Sequence, residues 1–230
     1  MIKIVNYFLQ SIVIYSFFFI GRILGIKISR ILFSVFFSVI GPIFKSKRII
    51  NGNLDIFSKK FSPLNKKKII NDMWKNYGKT FIEYIFLDYF NKTNSHITIK
   101  GENNLVQVIQ KNKQVIFISG HFANFELMSM EIVKKNIPLA TIYRPLNNFF
   151  LNPFMEFLRR KYVCANQIKK GVNGVRESIK YIKKKHSIAL MVDQRVSEGK
   201  NIYFFDKLLS IDLPINTLFA YLKKLFKAPK

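Results

Sequence analysis

Residues 114–126 read QVIFISGHFANFE, and the reading of the fold starts from them. Gln114 to Ser119 form a short, mostly apolar run bounded by Lys113 and Gly120, the pattern of a buried strand. A helix is predicted from about Asn124 to Lys135, so His121 stands where a strand gives way to a helix. In open α/β sheets the crevice beyond the carboxyl ends of the strands is the usual ligand site. Glu126 falls in the first turn of that helix and could fold back toward the imidazole. A carboxylate there fixes the ring tautomer and stabilises the imidazolium, leaving the other nitrogen to accept a proton. Taken alone, the same spacing also describes a histidine that merely caps a strand end.

Outward from this stretch the chain alternates. Leu139 to Tyr143 reads as a strand and Asn147 to Lys161 as a helix; a helix at Asn173 to Lys185 then leads into a strand at Ser187 to Val192. On the amino-terminal side, residues 65–90 carry apolar positions at helical spacing, with Gly78 as a tolerated interruption. After the turn-like NKTNS, Ile97 to Ile99 is expected to be a short strand and Leu105 to Ile109 a helix. Strands alternating with helices predict an α/β fold with a mostly parallel sheet flanked by helices. There is no internal repeat, low-complexity tract or glycine-rich phosphate loop.

The first forty residues differ in kind. Residues 4–20 carry no charge, and a helix extended to Ile26 would cross a hydrocarbon core of ~30 Å with Arg22 snorkelling to the headgroups. A second apolar run, Ile31 to Phe44, is broken by Gly41 and Pro42 and reads as an interfacial or re-entrant helix, or as packing for the first. A cleaved signal peptide is the rival, but Lys3 alone makes a basic start and no small-x-small site follows. Positive charge gathers after the run instead, at Arg22, Lys27, Arg30, Lys45, Lys47 and Arg48, which favours an uncleaved anchor with the body in the cytoplasm. The expected domains are therefore residues 1–46, a membrane anchor with interfacial helices, and residues 47–230, the α/β domain.

A chain of 230 residues with 49% hydrophobic content and a formal charge of +25 suits a membrane segment followed by a cationic body facing anionic lipid or an acidic partner. Part of that charge reflects a composition rich in Lys, Ile, Asn and Phe and has no partner. No basic-aromatic motif supports nucleic-acid binding. Cys164 is the one cysteine, so no intramolecular disulfide and no cysteine-based zinc site can form.

Four blocks in order carry a resemblance. SGHFANFELM resembles the H-x4-D/E block of the glycerolipid and lysophospholipid acyltransferase superfamily, with Glu in place of Asp as in its late lipid A acyltransferases. NGNLDIFSKKFS at 51–62 is similar to that family's asparagine-leucine segment. TIYRPLNN at 141–148 is similar to its second block, and MVDQ at 191–194, followed by NIYFFD, to its aspartate-glutamine block. The phenylalanine-proline-glutamate-glycine block of glycerol-phosphate acyltransferases is missing.

The resemblance implies fatty acyl transfer from an acyl carrier protein thioester to a hydroxyl of a lipid A precursor at the cell inner membrane. The catalytic domain would face the cytoplasm, and no metal or cofactor is implied. His121 would be the general base and Glu126 its orienting partner. Arg144 would contact a phosphate or acyl-donor carbonyl, for which a guanidinium's planar fork is suited. Arg159 falls on a functional arginine of the family, with adjacent Arg160 as the alternative, and Asp193 would lie at a strand end near the site. No serine nucleophile motif is present, so direct transfer is expected rather than an acyl-enzyme. Asp206 replaces a usual glycine, and the chain looks shortened after Lys230. Two other readings follow: an acyltransferase for another membrane lipid, and an inactive, shortened homologue.

Overall fold

The computed structural model describes residues 2–44, 47–58, 60–111, 113–193, 199–204 and 207–212. Gln194 and Asp206 lie outside the described residues. The chain divides into two compact units, with the boundary between Leu87 and Asp88.

The first unit is helical. Helix α1 (Ile2–Phe44) is broken at Gly25, whose φ of 72° and ψ of 165° no helix interior adopts. Without a Cβ, glycine reaches positive φ at little cost, and here it turns the chain back on itself. The rings of Phe17 and Phe33 lie 5.5 Å apart, whereas a straight helix would separate them by about 24 Å. Ser29 Oγ donates to the Gly21 carbonyl at 2.7 Å and fastens the bend. Both expected apolar runs thus become arms of one hairpin, of roughly 23 and 19 residues, and the second packs on the first.

After α2 (Lys47–Phe57) comes α3 (Pro63–Glu83), started by Ser62, whose side chain accepts from the Asn65 N–H, and by Pro63 in its first turn. Helix α3 packs along the hairpin. Gly78 allows this, because a Cβ there would collide with the Phe33 carbonyl. Two charges in the hairpin are satisfied locally: Arg30 pairs with buried Glu83 at 2.9 Å, and Arg22 donates to the Ile85 carbonyl at 3.0 Å. Helix α3 buries its apolar side on the hairpin, and the first compact unit runs to Leu87.

The second unit opens with α4 (Leu87–Lys92, entered from a 3-10 turn) and α5 (Glu102–Gln110). It then alternates β1 (Ile116–Ser119), α6 (Glu126–Lys134), β2 (Leu139–Tyr143), α7 (Asn152–Leu158), β3 (Asn166–Lys169), α8 (Val172–Lys183) and β4 (Ser187–Met191). A π-helical turn, Arg159–Val163, joins α7 to β3. These four strands form one all-parallel sheet in the order β1-β4-β2-β3. Strands β5 (Gly199–Phe204) and β6 (Lys207–Asp212) pair separately.

Strand order and handedness decide where the helices go. The steps from β1 to β2 and from β2 to β3 run the same way across the sheet, while β3 to β4 runs back. Right-handed crossovers therefore put α6 and α7 on one face and α8 on the other. Accordingly α6 packs against the π turn and β2. On the opposite face Val175 and Ile182 of α8 close over Ala140, Ile168, Ile188 and Leu190, the core of the unit. The far end of α6 is clamped by Lys134, whose Nζ donates to the carbonyls of Phe90 (2.7 Å) and Thr93 (3.0 Å).

Two expectations are corrected. Ile97–Ile99 is irregular rather than a strand, because no described strand lies beside it to complete its hydrogen bonds. The helix expected over 147–161 forms only from Asn152. Asn148 takes the N–H groups of Phe150 and Leu151 on its side-chain oxygen and holds 148–151 as a turn.

Candidate active site

All four strands of the parallel sheet point their carboxyl ends the same way, so the residues that follow them gather along one edge. His121 follows β1, Asp193 follows β4, Arg144 follows β2, and Lys170 follows β3. Strands β1 and β4 are neighbours in a register that sets Ser119 opposite Met191, and the Val192 N–H donates to the Ser119 carbonyl at 3.0 Å. Two residues further on, that register brings His121 to Asp193.

The contact is two-pronged. Asp193 Oδ2 accepts the backbone N–H of His121 at 2.7 Å, and Oδ1 lies 2.7 Å from the ring Nδ1. Burial pushes the Asp193 carboxyl up, but the two His121 hydrogen bonds and the His121 charge outweigh it and hold the group below the usual aspartate range. An ionised carboxylate can only accept, so Nδ1 carries the proton in this contact and, in the neutral ring, Nε2 carries the lone pair.

Gly120 is the residue that lets the carboxylate in. A Cβ at this position would lie 3.0 Å from Asp193 Oδ2 and 2.8 Å from Phe122 Cε2. The following turn is tight: the Phe122 N–H donates to the Gly120 carbonyl at 2.9 Å, and Ala123 takes a φ of 45°. The Phe125 ring meets the imidazole edge-on at 4.5 Å and backs it on one side. His121 itself stays accessible, its side chain 30% exposed.

Glu126 opens α6 and is buried. The sequence suggests that its carboxylate orients the imidazole, but the carboxylate on Nδ1 is that of Asp193. One Glu126 oxygen, Oε1, accepts from Arg159 Nε at 2.7 Å, within a pair whose side chains are only about a tenth exposed. The π turn brings Arg159 to this point, and its guanidinium also lies over the Tyr143 ring at 5.7 Å.

The structure also distinguishes the two arginines. Arg160 points elsewhere, binding Glu156 at 3.0 Å and the Ala165 carbonyl at 2.9 Å, and so ties the π turn to β3. Tyr143, buried beside Glu156, has its hydroxyl pushed up to about 12, by burial first and then by that carboxylate. Arg144 is exposed at the end of β2. Among the described residues no group of three or more His, Cys, Asp or Glu side chains could hold a metal ion.

Fold and site together define a class: α/β proteins that present a carboxylate-clasped histidine at the carboxyl edge of a parallel sheet. The family is then specific. The chain belongs to the bacterial lipid A biosynthesis acyltransferases, whose family model matches residues 1–223, and it is by that membership an acyltransferase. No curated protein matches it. Neither Gly120 nor Phe125 stands out as a site residue in the sequence. The glycine at the end of a strand was the available signal, since a close approach of another group is one reason for glycine there.

Proposed function

We propose that the protein transfers a fatty acyl group from an acyl carrier protein thioester to a hydroxyl of a lipid A precursor, with His121 as general base. Nε2 of His121 takes the proton of the acceptor hydroxyl as the oxygen attacks the thioester carbonyl. The C–O bond forms, the tetrahedral intermediate collapses, and the C–S bond breaks. The departing thiolate recovers the proton from the imidazolium, so an ester and a free thiol leave and the enzyme is unchanged. Asp193 orients the ring and stabilises the imidazolium. Glu126, through Arg159, fixes the start of α6 and with it the turn 121–125, which makes it a positioning residue. Arg144 offers a planar fork to a phosphate or to the donor carbonyl.

The observation that carries this reading is the clasp between His121 and Asp193 in a chain of this family. The direct test uses purified His121→Ala protein, an acyl carrier protein thioester and a lipid A precursor, with products read by mass. Transfer is expected to vanish while folding is retained, and transfer at the wild-type rate would sink the mechanism. Association with the inner membrane, body toward the cytoplasm, is supported by the apolar hairpin and by the basic residues around it.

A further inference from the structure

The amino-terminal unit has two unlike faces. Helix α3 lies against both arms of the hairpin. The Phe81 ring touches those of Phe18 (5.1 Å), Phe33 (5.9 Å) and Phe37 (5.3 Å). Its direction is fixed by its neighbours. Trp74 sits at Gly41 near the open end of the hairpin, while Glu83 and Ile85 meet Arg30 and Arg22 near the bend. Lys68, earlier in α3, therefore belongs to the open end, and Lys27 belongs to the bend.

The face of α3 turned away from the hairpin is polar. Asn65, Lys68, Asp72 and Asn76 recur at helical spacing and are exposed, with Lys75 and Lys79 half-buried beside them. The outer face of the hairpin is the reverse, exposing Phe8, Ile12 and Phe19 on one arm and Ile31, Val35 and Val39 on the other. So large an apolar surface calls for an apolar partner.

Each arm is long enough to cross a bilayer, at about 34 and 28 Å. The hairpin cannot cross with α3 attached, because α3 is about 32 Å long and would carry its lysines and Asp72 through hydrocarbon. Detaching α3 would in turn strip Glu83 and the Phe81 and Trp74 rings of their partners. A flat placement satisfies both faces at once.

Helix α2 is amphipathic as well. Its polar side carries Arg48 and Asp55, and Asp55 pairs with Lys66 of α3. Its Ile49, Ile56 and Phe57 point outward, and Leu64 is exposed close by in the sequence. Lys60 and Lys67 supply cations of the kind that anionic headgroups attract.

We infer that the first unit is a monotopic membrane-binding layer: the outer face of the hairpin and the apolar side of α2 sink into one leaflet, α3 faces water, and no segment of this unit crosses. This replaces the single crossing suggested by the apolar run alone. It rests on the membrane association proposed above but not on the acyl-transfer chemistry, so the two fail separately.

The unmodified full chain tests it through its own lysines. Sealed membrane vesicles of both orientations are treated with sulfosuccinimidyl acetate, which does not cross bilayers, and modification at Lys27 and Lys68 is read by mass spectrometry. Both lysines are expected to react in one orientation and both to lose reactivity in the other. Reaction of Lys27 and Lys68 in opposite orientations would establish a crossing hairpin and overturn the inference. So would protection of Lys27 in both orientations, which puts the bend in hydrocarbon, or protection of Lys68 in both, which removes α3 from water.

Discussion

Replacing Asp193 with asparagine changes one atom type at the centre of the site, and its effect can be worked from the contact geometry. The asparagine oxygen can still accept the His121 backbone N–H, as Oδ2 does now at 2.7 Å. Its NH2 then faces ring Nδ1, where the carboxylate oxygen now lies at 2.7 Å. An amide nitrogen only donates, so Nδ1 must become the acceptor and the proton moves to Nε2. The lone pair needed for catalysis is then turned away from the substrate side. Recovering the productive tautomer sets two donors against each other, a cost of about 1–3 kcal/mol. The imidazolium formed during reaction also loses an anion at contact distance, worth up to about 4 kcal/mol at an effective dielectric near 20 and less here, because both groups are partly exposed. Together these predict a fall in kcat of about 10³–10⁴, at 1.36 kcal/mol per decade. The matching substitution in serine-protease triads has about that effect. The assay is single-turnover transfer from an acyl carrier protein thioester, with folding checked by circular dichroism. A kcat within tenfold of wild type would refute the orienting role. There is a pH signature as well. A depressed carboxyl contributes stability that is complete above its unfolded value, near 3.9, and is lost as pH falls through the folded one. The stability gap between wild type and Asp193→Asn is therefore expected to close on acidification below about 4.

The remaining predictions concern residues that hold the site and the amino-terminal layer together. Glu126→Ala strands a buried guanidinium and is expected to destabilise the second unit by about 3–5 kcal/mol. The double variant Glu126→Ala/Arg159→Met should recover much of that loss in a denaturant titration, and additive losses would argue against their pairing. Gly78→Ala drives a methyl into the Phe33 carbonyl, backbone that cannot swing aside. A loss of more than about 2 kcal/mol, seen as early melting of the helical unit, is expected from such overpacking. No change would mean that α3 does not seat on the hairpin this closely.

How far the sequence could be read depended on the length of the signal. Strand β2 was legible residue for residue at Leu139–Tyr143, and β4 to within one residue, because each is a short apolar run between polar breaks. Helices α6 and α8 were legible from their periodicity. Strand β3 was not: Asn166–Lys169 has one apolar residue, Ile168, and exists as a strand because β2 offers it a partner in register. The break at Gly25 was equally hidden, since glycine within an apolar run is compatible with a straight helix or a turn.

For the site, the local sequence by itself determined that a histidine and a carboxylate follow a short apolar strand, and the ordered blocks around them determined the family; the expected burial of that strand is corrected, since β1 is the half-exposed edge of the sheet. Local spacing also made Glu126 the natural partner of His121, because only near neighbours can be compared along a chain. The tertiary structure decided otherwise for Nδ1. Asp193 is far away in sequence, but β4 inserts between β1 and β2, and a parallel register carries the ends of β1 and β4 forward together. A carboxylate is then delivered to Nδ1 by strand pairing, while Oε1 of Glu126 accepts from Arg159.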